Sequence, residues 1–149
     1  MTSSPTFSET LAIHLALRGD APWARALRAQ IPALKVSKRA LFDSGFVTDF
    51  ETPDDVEPIE MVSDREVIDG WPPSVNAEVR GVSGTLVTFV VWVGADGFIT
   101  QLDASLLSDG SIPKGPWLDY ENFKNDDLSL LPIPIVDEAR RRSRESPVN

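Results

Sequence analysis

Few side chains in this sequence can do covalent or metal chemistry, and their types narrow the field. There is one histidine, His14, and no cysteine. Nucleophilic catalysis needs a nucleophile, a base and a group that orients the base. Thiolates are excluded outright, and a lone imidazole between Ile13 and Leu15 reads as a structural residue of a helix. Gly81-Val-Ser-Gly84 lacks the Gly-x-Ser-x-Gly spacing and falls in a hairpin turn. Metal centres built from histidine and cysteine fail on the same counts. Two oxygen-donor groups remain, Asp54, Asp55 and Glu57 in one and Asn125, Asp126 and Asp127 in the other. Neither has the alternating carboxylates and central glycine of a calcium loop. Asp49 and Glu51, two apart on one strand, are the pair a carboxylate enzyme could set across a cleft. At a sheet surface they read instead as solvated groups. No glycine-rich phosphate loop occurs. The residues therefore assign no catalytic role, no metal site and no cofactor.

Charge is the stronger signal. Asp and Glu number 23 against 14 Lys and Arg, a formal charge of −9. Such a chain repels phosphate backbones, so nucleic acid is not an expected partner. Arg140, Arg141, Arg142 and Arg144 form a basic cluster, but Glu138 and Glu145 dilute it. The acids concentrate at Asp43, Asp49, Glu51, Asp54, Asp55, Glu57, Glu60, Asp64, Glu66 and Asp69, opposed there only by Arg65. Asp49, Glu51, Asp54, Asp55 and Glu57 are accordingly the candidate binding residues. Trp71 and Trp117 join them, since each adjoins proline in an irregular stretch where an indole either plugs a sheet end or meets a partner. Trp23 and Trp92 read as core. No apolar run spans a bilayer and the first residues lack a basic leader, so no membrane partner is expected. Cysteine-free composition fits a reducing compartment, and the expected location is the cytoplasm.

These residues need a scaffold. Residues 75–80, 85–93 and 98–103 read as three consecutive antiparallel strands, the middle one almost continuously apolar and hence central. Gly81, Gly84, Gly94 and Gly97 supply turn conformations between them. Residues 35–41 and 46–51 read as a hairpin around a connection of about five residues. In it Phe46, Thr48 and Phe50 share one face, and Val47, Asp49 and Glu51 the other. Ser4 and Pro5 read as the start of a helix with Phe7, Leu11 and Leu15 on one stripe, ending at Gly19. A second helix restarts at Asp20 and stops at Pro32, with Trp23, Leu27 and Ile31 aligned. A short strand at 59–62 or 66–68 is a further candidate. The fold expected is α+β, an N-terminal helical pair packed on one face of an antiparallel sheet of about five or six strands. The chain reads as one domain: helical over 5–31, sheet over 35–104, irregular over 105–136, and a loose tail over 137–149.

Gly45-Phe-Val-Thr-Asp-Phe50, Pro53, Ala77-Glu-Val-Arg-Gly81 and Phe89-Val-Val-Trp-Val-Gly-Ala-Asp-Gly97 carry a resemblance. They are similar to a group of small uncharacterised bacterial proteins with a Gly-Phe-x-Thr-x-Phe hairpin, over about residues 36–103. The group's Gly-Tyr…Pro-Trp continuation is represented here only by Pro116 and Trp117, and the resemblance implies no activity. In composition and class the chain also resembles bacterial toxin-immunity proteins, which are small, acidic, cysteine-poor α+β domains. The function expected first is a non-enzymatic bacterial protein–protein interaction domain, an immunity or inhibitor protein for a basic partner. The alternatives are a small-molecule-binding domain or carboxylate enzyme with a pocket between helices and sheet, lined by Phe46, Phe50, Trp92 and Trp117, or an operon-specific accessory protein. Oligomeric state is left open.

Overall fold

The computed structural model describes residues 3–51, 55–60, 71–82, 85–107, 115–125, 127 and 129–131. Helix α1 (Phe7–Ala16) and helix α2 (Pro22–Arg28) lead, through a 3₁₀ turn at Ile31–Ala33, into six strands. These are β1 (Val36–Phe42), β2 (Gly45–Phe50), β3 (Ser74–Val79), β4 (Val87–Val93), β5 (Ile99–Leu106) and β6 (Tyr120–Lys124). They form one sheet in the order β1-β2-β5-β4-β3-β6, and every neighbouring pair is antiparallel. Helix α1 packs over β3 and β4. The α+β architecture expected from the sequence is the one adopted.

The apolar continuity of β4 has the expected consequence. With β5 it occupies the middle of the sheet. Across the register, Phe89 lies beside Ala104 and Val75, and Val91 beside Leu102. All five are buried. Phe89 is the hub: its ring meets those of Tyr120 at 5.1 Å, Phe46 at 6.4 Å and Phe123 at 6.4 Å. Trp92, in contrast, is not core. It points to the other face beside Gln101 and is 43% exposed. Period-2 alternation sends it away from the helices, and an antiparallel sheet tolerates one solvated face.

Four local expectations are corrected. Helix α1 is capped by Thr6, not Ser4. The Glu9 N–H donates to Thr6 Oγ1 at 3.1 Å and the Thr6 N–H donates to Glu9 Oε1 at 2.8 Å. This reciprocal Thr-x-x-Glu box satisfies two orphan donors and so fixes the helix start. The β1–β2 turn is tighter than read, since Phe42 pairs with Gly45 and only Asp43 and Ser44 intervene. Gly45 serves the sheet: a Cβ on it would lie 1.8 Å from the Ala104 carbonyl oxygen. Residues 105–136, read as irregular, contain β6, which pairs with β3. Asn122 at φ 53° interrupts it and brings Tyr120 and Phe123, three apart, onto the buried side. The short strand sought near residue 59 is not formed at Ile59 or Glu60. Its remaining positions, including 66–68, lie outside the described residues, as do Arg140, Arg141, Arg142, Arg144 and the rest of 137–149.

Candidate functional site

The antiparallel register sorts the acidic residues by sheet end. Asp49 is level with Gln101, so Glu51 falls at the end where the β4–β5 turn lies. Asp43 sits at the opposite end, in the β1–β2 turn. Asp49 lies between the ends on the open sheet face, accepting from Gln101 Nε2 at 2.8 Å, with Lys38 Nζ at 3.9 Å. Asp54 lies outside the described residues. Asp55, Glu57 and Glu60 are exposed on a segment laid against the β4–β5 turn. The structure thus brings Glu51, Asp55, Glu57 and Glu60 to one end and separates Asp43 from them.

That segment is fixed by a buried side chain. Gln30 follows α2 and is enclosed. Its Nε2 donates to the Glu57 carbonyl at 3.2 Å and the Gly97 carbonyl at 3.0 Å. Its Oε1 accepts from the Ile99 N–H at 3.0 Å. The Ile59 N–H adds a bond to the Gly97 carbonyl at 2.9 Å. Contact is so close at Gly97 (φ +87°) that a Cβ there would lie 2.1 Å from the Ile59 carbonyl oxygen. One amide therefore joins α2, the acidic segment and the turn. Between the α2 end and the acidic segment lies a hollow of about 310 Å³ lined by Ala26, Ala29, Gln30, Val56, Glu57 and Pro58.

The two candidate tryptophans lie apart from this end. Trp71 is half-buried and meets Trp23 edge to face at 5.3 Å and 75°. Both border a cleft of about 560 Å³, together with Arg18, Asp20, Ser74 and Thr88. Arg18 spans its wall, donating through Nη1 to the Leu15 and Ser74 carbonyls and through Nε to Asn125 Oδ1. Trp117 is 66% exposed, with the Arg39 guanidinium 5.1 Å from its ring centre. The pocket expected along Phe46, Phe50, Trp92 and Trp117 does not form as a unit. Phe46 and Phe50 are core, Trp92 faces outward, and Trp117 stands at the rim of α1.

A residue that the sequence reading passed over is Glu9, a carboxylate with no solvent exposure. Besides the Thr6 N–H it accepts from Arg39 Nη2 at 2.6 Å, Arg39 Nε at 3.0 Å and the Thr48 hydroxyl. Every lone-pair direction is used, which marks a structural ion pair tying α1 to β1 and β2. The Thr-x-x-Glu box was its only sequence signal. His14 is half-buried, with Nδ1 enclosed and without a partner among the described residues. Burial lowers its pKa from the ordinary 6.5, and Arg28 lowers it further. Burial likewise raises the Tyr120 phenol, whose hydroxyl donates to the Gly115 carbonyl at 2.8 Å.

Among the described residues no group of three or more His, Cys, Asp or Glu is placed to hold a metal ion. No described helix is long and apolar enough to cross a membrane. No protein-family model, curated protein or solved structure matches this chain.

Proposed function

We propose that this chain is a non-enzymatic binding domain acting through protein–protein contact, in the manner of an immunity or inhibitor protein with a basic partner. One observation carries the reading: Glu51, Asp55, Glu57 and Glu60 collect at one sheet end, where Gln30 clamps the segment that bears the last three. Like-signed charges on a fixed loop steer a cationic surface toward them. A clamped loop also has less conformational freedom to lose on docking.

The test begins with affinity capture from cells of the source organism, followed by association kinetics with the recovered partner. Asp55→Asn, Glu57→Gln and Glu60→Gln together should slow association about tenfold at low salt, and the unmodified rate should fall as salt rises. The free domain should keep its stability, because these side chains are exposed. An unaltered rate, or recovery of acidic partners only, sinks the reading.

A second reading rests on the cleft beside Trp23 and Trp71, whose volume suits a small molecule. Two of the four tryptophans border it. Intrinsic fluorescence of the full chain, followed across a metabolite panel, should change on binding and lose that change in Trp71→Phe. A flat response throughout removes this alternative.

A further inference from the structure

We propose that the hollow between α2 and the acidic segment is an anchor pocket for one arginine side chain of the partner. The proposal rests on the acidic-end reading above and assigns the residue the partner must offer. Four of the lining residues, Ala26, Ala29, Val56 and Pro58, are apolar and shape a wall for an alkyl stem. Glu57 lines the same hollow and is itself exposed, which puts a carboxylate within side-chain reach of it. An arginine presents that combination, three methylenes carrying a planar fork that pairs with a carboxylate and sheds water more readily than an ammonium. The volume, about 310 Å³, lies at the lower end of ligand pockets and has room for one arginine side chain together with the backbone that carries it.

The hollow is built before any partner arrives. Gln30 forms part of its lining while its amide holds the Glu57 and Gly97 carbonyls, so the wall and the Glu57 backbone keep their spacing. The cations of α2 leave the space open. Arg28 turns to the Leu17 and Gly19 carbonyls, and Arg25 is not among the lining residues. Arginine anchors entering preformed pockets are a recurrent source of interface energy.

Capped arginine, N-acetyl-arginine amide, is the probe, titrated into the full chain and followed by amide chemical shifts. Shifts should centre on Ala26, Ala29, Gln30 and Glu57, and capped norleucine should bind at least about tenfold more weakly. Ala26→Leu fills the hollow without changing charge, and an exposed helical alanine tolerates leucine. It should abolish the shifts and raise the partner's Kd about tenfold or more, with the salt dependence of association kept. Glu57→Gln should weaken the probe similarly. Equal binding of norleucine, shifts elsewhere, or a partner affinity unmoved by Ala26→Leu overturns the pocket. If the charge-neutralised triple variant still associates slowly in that case, the acidic-end reading stands and only the anchor falls.

Discussion

Removing the Glu9 side chain should be among the most damaging single changes outside the apolar core. The carboxylate is fully enclosed, and the Arg39 side chain opposite it is only 16% exposed. Glu9→Ala deletes the acceptor of four hydrogen bonds, two of them from that guanidinium. It leaves a mostly buried cation unpaired, which in comparable sites costs about 3–5 kcal/mol. Loss of the capping box contributes about 1 kcal/mol more, although the Thr6 hydroxyl still caps the Glu9 N–H. Partial hydration of Arg39 offsets some of this, so the expected loss is about 3–5 kcal/mol by urea denaturation at neutral pH. The replacement Glu9→Leu with Arg39→Met removes both charges and should recover part of the loss, because a buried pair is of little net value against apolar packing while the buried Thr48 hydroxyl still lacks its acceptor. A loss below about 1 kcal/mol in Glu9→Ala would refute the reasoning. So would a double variant no more stable than the single one, since the penalty could not then be an orphaned charge.

Three further outcomes follow from the geometry. Phe89→Ala opens a cavity among Phe46, Tyr120 and Phe123 and should cost about 3–5 kcal/mol in the same assay, whereas a shift below about 1 kcal/mol would contradict its central position. Gly97→Ala must push the Ile59 carbonyl away, so amide exchange at Ile59 should accelerate more than at Phe89; equal changes would show global rather than local loosening. His14 is the only histidine and its folded pKa lies below 6.5, so the unfolded chain takes up its proton first. Its stabilising contribution is complete above about pH 6.5 and is lost as pH falls through the folded value, and His14→Gln should flatten the stability profile below about pH 6.5. An identical profile in the variant would assign that slope to carboxylates.

Features with a local cause were legible in the sequence, and features made by distant neighbours were not. Near-continuous β-branched and aromatic residues over Val87–Val93 put β4 at the sheet centre, and alternation over Gly45–Phe50 set the buried face of β2. Trp92 misled because apolar content cannot say which faces the helices cover. Strand β6 escaped notice because Asn122 in a left-handed conformation breaks the period on which strand reading depends. Glu9 announces a helix cap locally, but its partners Arg39 and Thr48 lie 30 and 39 positions away. The hollow beside Glu57 depends on Gln30, 27 positions earlier, and nothing in the residues between them signals that approach.

Two of the buried polar side chains, Glu9 and Gln30, point to a common logic. Each occupies space that an apolar residue could fill, and neither gains much stability over such a residue after desolvation. What an apolar residue could not do is fix a surface element in one place. Glu9 orients Arg39, and Arg39 lies against the exposed Trp117. Gln30 fixes the backbone at Glu57, and Glu57 opens on the acidic end. In both cases a satisfied interior group fixes the position of an exposed residue of a type enriched in, or able to steer, protein contacts. The apolar contacts around Phe89 do not themselves reach Arg39 or Glu57. Without the polar bonds the surfaces proposed for binding would be free to wander, which is the reason to look for function where the interior is polar.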